Sequence, residues 1–327
     1  MLIDEFNFTL PKKLIAQTPA SPRDSARLLV YDRSNANITD ATFRDLPQFL
    51  NPKTTLVRNQ AKVDKARLIF DNLEVFVLET YNDKTVKAMV RPGKKFKLGQ
   101  TVELDRDVSA EVVAVDEHGH RTLNFSHSLD DKVFDAHRHT PLPPYIAQDE
   151  SLANEYQTVY ARDLGSKAAP TAGLHFTEKL LGDIAKRWPI VDVTLNVGLG
   201  TFAPIDEHNI RHKKLHAETY SISPASAAIL NKSSHITAVG TTTVRVLESA
   251  FDNGFEALTN RSTDIFIQPD DKLQVVNSLI TNFHLPSTSL LMMVAAFTGG
   301  DELMSIYQHA ITKEYRFYSF GDAMLII

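Results

Sequence analysis

The chemistry this chain can do is concentrated where small and polar residues interrupt apolar runs. From Tyr156 to Thr177 the sequence reads Y-Q-T-V-Y-A-R-D-L-G-S-K-A-A-P-T-A-G-L-H-F-T. Gly165, Ser166, Ala168, Ala169, Ala172 and Gly173 are broken by Pro170 and closed by His175 and Thr177. Such a composition lets backbone lie close against a ligand, and it equally builds a tight structural turn. Thr177 suits an N-cap for a helix carrying Leu180, Leu181 and Ile184, whose first N–H groups can receive an anionic group. Three more junctions repeat the pattern. Val193 to Val197 runs into Gly198-Leu199-Gly200-Thr201, and Ile236 to Val239 into Gly240-Thr241-Thr242-Thr243 with a helix behind it. Leu279 to Phe283 runs into His284-Leu285-Pro286-Ser287-Thr288-Ser289 and an apolar helix. Polar residues at successive strand ends mark the usual ligand crevice of an open α/β sheet, so His175, Gly200, Thr242 and His284 are expected around one pocket.

A different spacing, His208, His212 and His216, would stack three imidazoles if one helix carried them all. The polar lead-in Asp206-Glu207 and the change of pattern at Thr219-Tyr220-Ser221-Ile222 leave little room for that helix. No H-E-x-x-H motif accompanies it, so no metal site is expected.

The elements that must hold these loops follow from composition and pattern. With 327 residues and 43% hydrophobic content, the chain can bury a large core in two domains. A net charge of −5 excludes a global field for nucleic acid and leaves any such contact to a local basic patch. Zero cysteines exclude disulfides and thiol nucleophiles and fit a cytoplasmic protein. The N-terminal M-L-I-D-E-F-N-F has neither a basic region nor a long apolar run, so no signal peptide is expected. No window approaches the roughly 20 apolar residues of a membrane span.

Arg27 to Asp32 and Ile38 to Phe43 read as a hairpin, and Thr55 to Val57 as a further strand. From Leu68 to about Thr140 short alternating strands separated by Gly and charged turns indicate a small antiparallel β-barrel (68–140), inserted into a discontinuous main domain (1–67 and 141–327). Arg91-Pro92-Gly93-Lys94-Lys95-Phe96-Lys97 forms a basic turn fit for phosphate or for solvent. Pro141, Pro143 and Pro144 stiffen the return linker. The strand-then-helix repetition of the second half predicts a three-layer α/β sandwich, with Thr241 or Thr242 capping one helix.

Six strings, Y-Q-T-V-Y-A, A-A-P-T-A-G-L-H-F, V-G-L-G-T-F, A-V-G-T-T-T-V-R-V-L-E-S, T-N-F-H-L-P and Y-R-F-Y-S-F-G-D-A-M, together resemble the S-adenosylmethionine:tRNA ribosyltransferase-isomerase family of queuosine biosynthesis, in the family's order and over nearly the whole chain. The resemblance implies transfer and isomerisation of the ribosyl unit of S-adenosylmethionine onto a 7-aminomethyl-7-deazaguanine wobble base in tRNA. Epoxyqueuosine forms, and adenine and methionine leave. S-adenosylmethionine is then a co-substrate, no cofactor or metal is needed, and a cytoplasmic monomer is expected. Under this reading His175, His216 and His284 are the candidate proton carriers, and Glu218 and Asp322 orient them or bind the amine. Thr241, Thr242 and Arg245 hold the methionine carboxylate, and Thr171, Gly173, Gly198, Gly200, Thr201 and Asn282 complete the co-substrate site. His175 and His284 can instead serve only loop carbonyls, and Glu248 can pair with Arg245 in place of a ligand.

The chain departs from the family pattern in places. Asn59, Val63, Ala66 and Arg67 stand as in N-[DN]-T-R-V-I-P-A-R, but residues 60–65 otherwise differ. L-H-V-G is Leu195-Asn196-Val197-Gly198, which removes an imidazole. Lys213 occupies the first His position of H-x-[ML]-H-x-E, Asp270 follows Pro269 where Gly is usual, and Asn277 replaces Asp. These changes support a competing reading: a non-catalytic or altered-substrate paralogue that binds RNA.

Overall fold

The computed structural model describes residues 5–147, 149–198 and 205–327, with Glu150 described in its backbone alone. Among the described residues nine strands form the main sheet: β1 (Arg27–Asp32), β2 (Asn37–Thr42), β3 (Thr54–Asn59), β4 (Ile190–Asn196), β5 (Lys214–Ile222), β6 (His235–Val239), β7 (Leu258–Ile265), β8 (Ser278–Asn282) and β9 (Ala323–Ile326). Their order across the sheet is β7-β5-β4-β3-β6-β8-β9-β1-β2. β4, β3, β6 and β8 run parallel, so Asn196, Asn59, Val239 and Asn282 end on one edge. β9 is antiparallel to β8 with Ala323 beside Asn282, so the loop entering β9 joins the same edge.

Alternation along the central strands sends side chains into two cores. Leu29, Tyr31, Val57, Ala238, Leu279 and Met324 enter one; Leu28, Val30, Leu56, Val239, Ile280 and Leu325 enter the other. The first is covered by α3 (Pro224–Leu230), α4 (Thr241–Ala250), α5 (Ser289–Thr298) and α6 (Gly300–Thr312). The second is covered by α1 (Glu178–Ala185) with Phe43, Leu46 and Trp188. A sheet apolar on both faces must be covered on both, which yields the three layers. Thr177 caps α1, its Oγ1 accepting from Leu180 N at 3.2 Å. At α4 the cap is Gly240, at φ 86° and with no side-chain cap bond, so Thr241 and Thr242 lie within the first turn and do not cap it. The outer strands β5 and β7 are largely polar and exposed, which hid most of their length from hydrophobic patterning.

The short α2 (Glu207–His212) carries His208 and His212 with ring centroids 4.3 Å apart. It ends at left-handed Lys213, and His216 lies on β5, so the three imidazoles do not share a helix.

A second compact unit comprises Val63–Pro143 with Gln148–Ala153. The limits drawn from sequence, 68 and 140, fall inside it: Ala66 packs in this unit's own core and its carbonyl accepts from Val77 N at 2.8 Å. Its seven-stranded antiparallel sheet is a curled half-barrel whose edges are the strands Arg138–His139 and Thr101–Asp105. This curled antiparallel sheet is the barrel-like unit that the strand pattern predicts. The short 3-10 helix Lys132–His137 inserts Phe134 into its core, and His137 Nε2 lies 3.0 Å from Asp105 Oδ2. Alternating Val75, Val77, Val86, Ala88, Val112 and Leu123 line the concave face.

Candidate active site

Where β6, β8 and β9 meet the common edge, a cavity of about 400 Å³ opens, a size suited to a small organic ligand. Thr171, Thr241, Thr242, Arg245, Asn282 and His284 all line it, although they come from separate segments of the chain. The positive φ of Gly240 turns the chain from β6 into α4, and Gly240 O accepts from Thr243 and Val244 N–H. The N–H groups of Thr241 and Thr242 then head the ten-residue helix, at its positive end.

Arg245, one turn further, is 5% exposed. Its Nη1 donates to Glu218, also buried, and Glu218 Oε1 accepts from Gly198 N at 2.9 Å. Its Nε and Nη2 have no partner among the described residues. Arg245 lines the cavity as a residue, and a buried guanidinium with two unpartnered nitrogens is costly as it stands and well shaped for a carboxylate. Glu248 does not compete for it: its carboxylate accepts from the backbone N–H groups of Gln274, Val275 and Val276 at 2.8–3.1 Å.

His284 contributes a buried imidazole whose Nε2 lies 2.8 Å from Thr281 Oγ1, while its backbone N donates to Tyr307 Oη at 2.9 Å. Burial pushes its pKa down to about 4, so the ring is neutral near pH 7. Asn282 organises the floor. Its Oδ1 accepts from Thr171 Oγ1 at 3.0 Å, and its Nδ2 donates to Tyr318 O and to His175 Nε2, each at 3.2 Å. His175 does not line the cavity. It lies beneath Asn282 and against Phe43, and burial, with the Arg316 and Arg23 charges, lowers its pKa to about 3. It therefore orients Asn282, a partnership its sequence position did not reveal.

The remaining residues named from sequence separate. Glu218 and exposed His216 border a small adjoining recess that shares Arg245, Ser289 and Leu290 with the main cavity. Gly198 serves Glu218 through its N–H. Gly173 answers to packing, since a Cβ there would sit 2.0 Å from Tyr160 Oη. Asp322 is turned away from the cavity and accepts from Arg27 N at 3.0 Å and Arg316 N at 2.8 Å, closing the loop into β9. Gly200 and Thr201 lie outside the described residues. Tyr145, Tyr318 and Ser319 also line the cavity. Tyr318 and Ser319 stand inside Y-R-F-Y-S-F-G-D, the signal that pointed there.

None of the departing residues lines the cavity. Gln60 Nε2 donates to Asp163 at 2.9 Å, Lys213 pairs with Asp271, and Asn277 Oδ1 accepts from Ile236 N at 2.7 Å. Asn196 Oδ1 is buried without a partner among the described residues.

A family model described as queuosine biosynthesis protein matches residues 3–326. The chain is 42% identical over 337 residues to the S-adenosylmethionine:tRNA ribosyltransferase-isomerase of Thermotoga petrophila, covering 100% of both. It is 43% identical over 339 residues to the enzyme of the same name from Heliobacterium modesticaldum, covering 98% of each. The crystal structure of S-adenosylmethionine tRNA ribosyltransferase from Thermotoga maritima is similar with a TM-score of 0.56 and 35% identity, over 99% of this chain and 100% of that one.

Proposed function

Because the chain belongs to the queuosine biosynthesis protein family and is one of its tRNA ribosyltransferase-isomerases, we propose that it transfers and isomerises the ribosyl unit of S-adenosylmethionine onto 7-aminomethyl-7-deazaguanine in tRNA, forming epoxyqueuosine and releasing adenine and methionine. The observation that carries this reading is the pair of unused Arg245 donors beside the start of α4. In this reading they take the methionine carboxylate together with the Thr241 and Thr242 N–H groups. Glu218 fixes the guanidinium plane and is a positioning residue.

The sulfonium acidifies the ribose C5′–H, so the first step needs a proton acceptor, and departing adenine then needs a donor. Among the described lining residues, neutral His284 is the group able to accept a proton, and once protonated in an apolar site it is a strong donor. His175 works through Asn282. His216 stands at the adjoining recess and is assigned no step. Metal, cofactor and a second subunit have no part in this scheme. Among the described residues no single helix is long and apolar enough to cross a membrane.

The competing reading of a non-catalytic RNA-binding paralogue is disfavoured because none of the departing residues lines the cavity. Incubation with S-adenosylmethionine and precursor-containing tRNA should yield the modified nucleoside by mass spectrometry, with free adenine and methionine. Absence of all three from correctly folded protein rules the reading out.

A further inference from the structure

Tyr318 has φ 72°, in the left-handed region that a bulky residue seldom occupies. Its backbone is tied there at both ends: Tyr318 N donates to Phe283 O at 3.1 Å, and Tyr318 O accepts from Asn282 Nδ2 at 3.2 Å and Gly321 N at 2.9 Å. Gly321 is required for this closure, because a Cβ there would lie 2.5 Å from Arg316 O. Glycine would relieve the strain at 318, yet a tyrosine holds the position. Strain of this kind persists where the surroundings enforce it and gathers at ligand clamps.

The held side chain forms part of the cavity wall. Its ring centroid is 4.6 Å from that of Tyr145, with the planes inclined by 37°, and Tyr145 Oη shares a 2.7 Å hydrogen bond with Ser319 Oγ. The two phenols thus make a braced aromatic surface at the β9 side of the cavity, while Arg245 and the α4 start stand at the β6 side. Tyr318 is tied to the end of β8, which lies between β6 and β9. A cavity lined by an arginine and by an aromatic pair suits a ligand with an anionic group at one end and a flat ring at the other.

We propose that Tyr318, braced by Tyr145, is the stacking platform for a fused nitrogen heterocycle during the transferase reaction, and that its left-handed backbone sets the plane of that ring. This rests on the functional reading above. Two rings have the required chemistry, the adenine of S-adenosylmethionine and the 7-deazaguanine of the tRNA, and the test separates them. Steady-state kinetics would be measured for wild type, Tyr318→Phe, Tyr318→Leu and Tyr145→Leu, varying S-adenosylmethionine and tRNA independently, with the Tm of each variant recorded.

Tyr318→Phe should keep wild-type KM values. Tyr318→Leu should raise one KM about ten- to a hundred-fold, the range of base–aromatic stacking. A rise for S-adenosylmethionine assigns the platform to adenine, and a rise for tRNA assigns it to the deazaguanine. Tyr145→Leu should raise the same KM by less. If Tyr318→Leu does not fold, Tyr145→Leu carries the test. Unchanged KM values for both substrates in a folded leucine variant, or an equal loss in Tyr318→Phe, overturn the proposal. Turnover by wild type in the same assay keeps that failure distinct from failure of the transferase reading.

Discussion

The strand-end edge of the main sheet and the concave face of the half-barrel are built on opposite terms. In the half-barrel Val75, Val86, Ala88, Val112 and Leu123 alternate inward with less buried neighbours and pack into one apolar core. At the cavity edge the molecule buries Arg245 with two donors unused, keeps two imidazoles neutral and holds Tyr318 in a left-handed conformation. One region is at ease without a ligand. The other holds unfavourable arrangements, of which the unpartnered Arg245 nitrogens are the ones a ligand can offset, and these are a more direct guide to function than cavity size.

The sharpest way to break this comparison is to measure activity and stability in one variant of the cavity edge. His284→Ala should lower turnover about 10²–10⁴-fold, the usual contribution of a positioned acid or base, while leaving the buried Thr281 hydroxyl unpaired costs about 1–3 kcal/mol of stability. Turnover and urea unfolding measured on the same preparation decide it. A protein that unfolds outright would make His284 a core residue and erase the contrast.

A smaller effect separates the regions by pH. Burial depresses His175 to about 3 and His284 to about 4, against 6.5 for a free imidazole. Their contribution to stability is therefore complete above pH 6.5. It is lost as pH falls, because the unfolded chain takes up protons first. Between pH 6.5 and 5 each imidazole should cost up to about 1.4 kcal/mol per pH unit, and His175→Gln should remove one such share of the slope. Denaturant unfolding followed at pH 7, 6 and 5 measures it, and an unchanged slope in the variant would place His175 in touch with solvent.

The smallest expected effect lies on the half-barrel. Its basic turn is rigidly anchored by buried Phe96, with Arg121 donating to Phe96 O and Gly93 O at 3.2 and 3.1 Å, while Lys94, Lys95 and Lys97 stand exposed. Replacing all three with Ala should weaken tRNA binding and flatten its salt dependence by roughly 0.7–0.9 in log–log slope for each phosphate no longer neutralised. Binding titrations at several salt concentrations test this, and an identical slope would assign the turn to solvent alone.

Much of this is legible in the chain alone. Hydrophobic alternation identifies the central strands, and the repeated step from strand to small polar loop picks out Thr242 and His284 as residues of one edge, because both signals are local and periodic; Thr171, Arg245 and Asn282 are named through the family resemblance. The polar strands β5 and β7 are mostly hidden, since an exposed sheet margin has no apolar period to show. What only the tertiary structure decided was direction and partnership. His175 and Asp322 sit in motifs as polar as those of His284 and Thr242, yet they point into the protein, one to hold Asn282 and the other to bind two backbone N–H groups. Glu218 reaches Arg245 across a sheet, and Tyr318 meets Tyr145 from a segment more than half the chain away. Local sequence sets which backbone forms and where it bends. Whether a given side chain then faces a cavity or a neighbour depends on what distant strands bring beside it, and that pairing is not written in the period of any single segment.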